Sequence, residues 1–175
     1  MPNSTIAHQR LVNQRLIGTS FEQPEQVVDW LGAVQSQDYP AAKWALAQRA
    51  NGLTDAVIEQ AFTEGKILRT HVMRPTWHFV TPADIRWMLK LTAPRVNKLM
   101  GSYYRQLELD ASVFNRAQDV LVSELQGGKQ LTRAEIAPAF ERSGINAGGL
   151  RFNHLMIHAE LDAIVCSGAR RGKQS

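Results

Sequence analysis

The apolar period of this chain changes at residue 66, and that change restricts the folds open to it. Up to residue 65, apolar residues recur at helical spacing in short runs punctuated by glycine and proline. Two runs then follow, KILRTHV (66–72) and TWHFV (76–80), rich in β-branched and aromatic residues and joined by MRP. This is the pattern of a hairpin. Short helices feeding a hairpin are the order of a winged helix.

The first 65 residues read as four helices. Ile6, Leu11, Val12 and Leu16 share a face and end at Gly18. Pro24 suits a first helical position ahead of Val27, Val28 and Leu31. Pro40 opens a third helix with Trp44, Leu46 and Ala47, closed near Gly52. Thr54 caps a fourth, with Val57, Ile58 and Phe62 inward, ending at Gly65. After the hairpin, Thr81, Pro82 and Asp84 form a capping box, and residues 82–92 and 94–107 predict two connecting helices broken before Pro94.

The second half repeats the theme. Asp110 precedes a helix with Val113, Ala117, Val120, Leu121 and Leu125 on one side, stopped by Gly127 and Gly128. KQL (129–131) predicts a short strand, and Thr132 to Glu135 a capping box for a helix that ends near Gly144. Residues 148–162 predict the next helix and IVCSG (164–168) a closing strand. That order is again a winged helix-turn-helix. Arg170, Arg171 and Lys173 around Gly172 predict the tip of a wing. Without a returning strand IVCSG would remain an unpaired edge, so the sequence predicts continuation past Ser175.

The expected fold class is thus mainly α with short β-hairpins, as tandem winged-helix modules. Residues 1–80 form the first, with its hairpin at 66–80. Residues 81–109 supply connecting helices, and 110–175 a second module cut within its wing.

Composition narrows the setting. The chain is 44% hydrophobic and 21% charged, enough to bury a core. No apolar run reaches the length of a membrane span, and the start, MPNSTIAHQR, lacks a signal-peptide apolar block. Cys166 is the only cysteine, which rules out an internal disulfide or a cysteine-rich zinc site and makes a reducing cytoplasm the expected compartment. Of the net +4, residues 1–80 contribute nothing, with seven basic and seven acidic side chains. Residues 81–175 hold thirteen and nine, which predicts an anionic partner for that half.

Three constellations are candidate sites. Arg170, Arg171 and Lys173 suit phosphates, against the plain reading of a solvated tail. In helix 148–162, Arg151, Asn153, His154 and His158 are expected to face outward while Leu155, Ile157 and Leu161 pack inward; arginine and asparagine read base edges well, although many winged helices only pack or bind proteins. In the hairpin, Arg69, Arg74 and Trp77, beside His71, suit a clamp on the backbone or a wedge between bases, against the plain reading of Trp77 and Phe79 as core with the histidines hydrogen-bonded locally. His71 and His78 lack a neighbouring third ligand in the sequence, so no metal is expected.

The stretch GAVQSQDYP adds two amides at a helix exit. Gln35 and Gln37 share no helical face unless the helix unwinds. Pro40 disfavours helical geometry at Tyr39, so unwinding over 36–39 is expected to turn both amides into one cleft. An amide holds water through one acceptor and two donors, but does not titrate near neutral pH and cannot act as a general base.

GAVQSQDYPAAKWALAQR, followed by RTHVMRPTWHFVTPADI, resembles the winged-helix DNA-binding family that includes the AlkZ- and YcaQ-like bacterial DNA glycosylases. The likeness extends over nearly the whole chain and about the first half of such a protein. In that family a glutamine–aliphatic–glutamine motif, or glutamine–aliphatic–aspartate, is associated with excision of N7-alkylated purines and unhooking of interstrand crosslinks. Gln35 and Gln37 match its two ends; Ser36 stands where an aliphatic residue is usual. The resemblance implies double-stranded, alkylated DNA as partner, water-positioning roles for Gln35 and Gln37, and no cofactor. With such a partner, the residue reading above places the expected DNA contacts at Arg69, His71, Arg74, Trp77, Arg151, Arg170, Arg171 and Lys173. The alternatives are a non-enzymatic DNA-binding protein or regulator, and a protein-interaction module.

Overall fold

A computed structural model describes residues 2–18 and 20–172, with the backbone alone for 2–4. Its order is α1 (Pro2–Asn13), α2 (Pro24–Leu31), β1 (Val34–Gln35), α3 (Tyr39–Ala47), α4 (Asp55–Thr63), β2 (Leu68–His71), β3 (Trp77–Val80), α5 (Ile85–Gln106), α6 (Ala111–Glu124), α7 (Arg133–Arg142) and α8 (Leu150–Leu161). The fold class is as expected, mainly α with a small antiparallel sheet in the order β1-β3-β2.

Side-chain caps set the starts of α3, α4, α6 and α7. Asp38 accepts from the Ala41 amide at 3.1 Å, Thr54 from Val57 at 3.3 Å and Asp110 from Val113 at 2.9 Å. Thr132 and Glu135 form the reciprocal box, at 3.3 and 2.6 Å. Each such cap stabilises by about 1 kcal/mol.

The sheet divides two cores, because successive strand residues point to opposite faces. Phe79, Val34 and Ile67 pack with Val27, Leu46, Ile58 and Phe62 of the first half. Val72, Val80 and partly Leu68 pack instead with Met88, Val96, Leu121, Phe140 and Leu155. The hairpin therefore belongs to both cores.

Several expectations fail for physical reasons. α1 ends at Asn13 rather than Gly18, because Arg15 takes a left-handed φ of 55° and the amides of Arg15 and Leu16 close back on Val12 and Leu11. Its apolar face is not buried, and Ile6 remains half exposed. Residues 85–106 form one helix through Pro94. Pro94 and Lys90, the residue whose carbonyl loses its partner, both lie on the exposed side, where water can replace the missing bond. The buried face of α5 joins the same core as α6 to α8.

Residues 129–131 and 164–168 are not strands among the described residues. Instead, Ser167 donates to the Arg69 carbonyl at 2.9 Å, as a single antiparallel bridge on the outer edge of β2. The Gln130 side chain accepts from the Ala169 amide at 3.1 Å. The segment expected to leave an open edge thus covers one. α8 packs on α5, α6 and β2, which turns His154 and His158 inward; His158 stacks on Phe114 at 3.7 Å and His154 on Tyr103 at 5.5 Å.

Candidate active site

The QSQ segment lies between a two-residue edge strand and a capped helix. α2 stops at Gly32, whose φ of 73° favours glycine, with the Met88 methyl 3.6 Å from where a β-carbon would stand. The chain then extends as β1, with Val34 opposite Phe79 and Gln35 opposite His78. Ser36 donates its amide to the Trp77 carbonyl at 2.7 Å. The return amide of Trp77 goes to Gln37 Oε1 at 3.3 Å, so a side chain completes the ladder. Asp38 caps α3.

Gln35 and Gln37 are brought together by an extended chain rather than by an unwound helix, since i, i+2 residues of a strand fall on one side. Both are exposed and line one open groove of about 370 Å³ with Asp38, Ala41, Ala42 and Ala45. Because an N–H must donate to an oxygen, the Trp77 contact fixes the Gln37 amide. Its two N–H donors and one carbonyl lone pair remain for other partners. Gln35 has no side-chain hydrogen bond among the described residues.

Ser36 is fully buried beneath the pair. Arg69 Nη2 and Nε donate to its carbonyl at 2.9 and 3.3 Å, and Nε lies 3.4 Å from its hydroxyl. The Arg69 guanidinium, itself buried, sits over Trp77 at 4.4 Å and Tyr39 at 5.4 Å. Ser36 thus replaces an aliphatic contact by a polar one to an arginine within the fold.

The other expected DNA contacts differ in what holds them. His71 is buried, and both its backbone amide and Nδ1 meet Glu160 Oε2, at 2.7 and 2.6 Å. His71 pairs with Trp77 and His78 with Thr70, so the two histidines point to opposite faces. Trp77 is half-buried, with Nε1 3.4 Å from Glu160 Oε1. Arg74 is exposed at the hairpin tip. Arg151 binds the carbonyls of Asn146, at 2.7 Å, and Leu107. Arg170 reaches Glu59 on α4 at 3.1 Å and lies over Tyr39, while Arg171 pairs with Glu135 at 3.1 Å and with the Gln130 carbonyl. Burial alone would raise the Glu59 carboxyl, but Lys43 and Arg170 outweigh it and hold it below the usual range. Lys173 lies outside the described residues.

Two features escaped the sequence reading. Glu160, a lone carboxylate in the apolar run HLMIHAEL, is the acceptor on which His71, Thr70 and Trp77 converge. Its isolation among inward residues was the available signal. The exposed side of α5 carries Arg86, Lys90, Arg95, Lys98 and Arg105, and the helix contains no acidic residue. None of the five has an ion-pair partner among the described residues.

A mainly helical chain with a short antiparallel sheet and two amides beside its edge has the architecture of a winged-helix protein. Residues 28–175 match the family described as DNA glycosylase AlkZ-like, and the chain belongs to that family. No curated protein matches it. Among solved structures, the Streptomyces sahachiroi DNA glycosylase AlkZ is similar with a TM-score of 0.79 at 21% identity, over 94% of this chain and 46% of that one. The likeness is one of fold, and this chain spans less than half of that protein's length. No helix among the described residues is long and apolar enough to cross a membrane.

Proposed function

We propose that the protein hydrolyses the N-glycosidic bond of N7-alkylated purines in double-stranded DNA, including crosslinked purines, with Gln35 and Gln37 holding the attacking water. The observation that carries this reading is the shared groove, in which one amide is oriented by Trp77 and the other lacks an internal partner. An N7-alkylated purine already carries positive charge, so its departure needs no general acid. What remains is an oxocarbenium-like transition state and a water to capture it. Amide N–H groups orient the water, and the remaining carbonyl lone pairs face the developing cation.

Arg69 supports the pair from below through Ser36 rather than from the DNA side. Arg74 and the basic side of α5 are free to meet phosphates. α5 is about 33 Å long at 1.5 Å per residue, close to one duplex turn of about 34 Å.

Single-turnover release of base from duplex containing N7-methylguanine, by the natural full-length protein, tests the reading. Gln37→Ala should slow release roughly 10²–10³-fold, equivalent to about 2.7–4 kcal/mol, with DNA affinity nearly unchanged. Full-rate release by Gln35→Ala, Gln37→Ala would remove the pair from the mechanism. DNA binding without any release by the unaltered protein would instead mark a non-enzymatic binding protein.

A further inference from the structure

We propose that His78 is the catalytic base of this site, taking the proton of the water that Gln35 holds. The inference rests on the glycosylase reading above and names a residue which that reading does not use.

Gln35 and His78 are direct cross-strand partners. The neighbouring pair, Ser36 and Trp77, is joined by a backbone hydrogen bond. Gln35 and His78 therefore occupy a non-hydrogen-bonded position, where opposed side chains share a face with β-carbons roughly 4.5–5.5 Å apart. That spacing lets the end of a glutamine and an imidazole share one water.

The tautomer of His78 is set by its own turn. Nδ1 lies 2.8 Å from the Thr76 carbonyl, and a carbonyl cannot donate, so Nδ1 carries the proton. Nε2 is left as an acceptor and has no hydrogen-bond partner among the described residues. Burial favours the neutral form needed for this task and outweighs the Thr76 carbonyl, which favours the protonated ring. Gln35 on β1 and Thr70 on β2 are uncharged, while Arg74 at the tip and His71 on β2 oppose added positive charge. The ring's affinity for a proton therefore lies below the ordinary value of 6.5.

The step balances. The C1′–N9 bond breaks with its electron pair passing to the purine, which leaves neutral. The water oxygen bonds C1′, and one water proton moves to Nε2, to be lost to solvent as the abasic product leaves. The amides cannot take that proton; Asp38, the carboxylate on the same groove, holds the Ala41 amide as a helix cap, and His78 is the titratable side chain paired with Gln35 across the sheet.

The test is the pH–rate profile of base release by the full-length protein, with melting temperature followed in parallel. His78→Asn retains an N–H donor near the Nδ1 position for the Thr76 carbonyl and deletes the Nε2 acceptor. We expect release about 10²–10⁴-fold slower, loss of the acid limb seen in the unaltered protein, and a melting temperature above neutrality within a few degrees of it. A structural role would be rescued by asparagine. An unchanged rate and profile in His78→Asn overturns the role of His78 while leaving the glutamine mechanism standing. If that variant does not fold, an unaltered profile without an acid limb overturns it equally. Failure of the unaltered protein to release base at any pH removes both readings.

Discussion

Replacing Glu160 with alanine should unfasten the two halves of the molecule. Glu160 stands on α8 with 5% of its surface exposed, at the outer edge of β2. Its Oε2 receives the His71 amide at 2.7 Å, His71 Nδ1 at 2.6 Å and the Thr70 hydroxyl at 3.4 Å, while Oε1 faces Trp77 Nε1 at 3.4 Å. Truncation leaves the two short His71 contacts unmade at a residue only 3% exposed. Each unsatisfied buried donor costs about 1–3 kcal/mol, and breaking a buried charged contact about 3–5 kcal/mol in all. An adjoining cavity of about 200 Å³, which Glu160 and Trp77 both line, admits some water and favours the lower end.

For a domain of this size about 2–4 °C of melting temperature is lost per kcal/mol, giving a drop of roughly 6–20 °C. Glu160→Gln keeps one acceptor and should fall between. Thermal unfolding, followed by circular dichroism and tryptophan fluorescence, measures both, and amide exchange at His71 reports the edge directly. A shift below about 2 °C in Glu160→Ala would show that the contacts at the β2 edge carry no net stability, and the account of how the halves are joined would be wrong.

Two further outcomes follow from charge. Changing Arg86, Lys90 and Lys98 of α5 to alanine should weaken binding to all duplex sequences alike and lower the salt slope by up to about 2.7, at 0.9 per phosphate; an unchanged slope places the DNA elsewhere. On acidification, burial holds His78, His154 and His158 below the ordinary 6.5, with Asp162 partly offsetting the effect at His158. The unfolded chain therefore takes up protons first. The stability these residues contribute is complete above pH 6.5 and is lost as pH falls through their lower folded values. Melting temperatures that do not decline between pH 6.5 and 5 would contradict this.

What the sequence reveals and conceals follows the range of the interactions involved. Thr54, Asp110 and Thr132 each bond an amide three residues on, and the 66–80 hairpin pairs with itself, so both are visible locally. β1 has two residues, too few to carry a period, and exists because β3 offers an open edge. The segments 129–131 and 164–168 have strand-like composition, but a glutamine side chain and the carbonyl of Arg69 satisfy them instead of each other. His154 and His158 look like outward groups on a helix with one buried face. α8 is packed by α5, α6 and β2 together, and leaves them no outward side.

The glutamine groove shows the same division within one site. Residue types suggest the pair, and Asp38 with Pro40 marks where a helix begins after it. The aim of the amides, however, depends on Arg69, 33 residues beyond Ser36, and on the Trp77 amide, 40 residues beyond Gln37. Trp77 connects the two edges of the sheet. Its amide and carbonyl hold the QSQ segment on the β1 side, and its indole N–H faces Glu160 on the β2 side. Its ring lies against Arg69, His71 and, at 5.8 Å, Arg133 of α7. An indole held in this way cannot leave its place to wedge between bases without giving up Glu160, Arg69 and His71. Under the proposed function, Arg74 at the tip is the hairpin residue left exposed to meet DNA, and the aromatic and buried basic residues behind it hold the segment that carries the two amides.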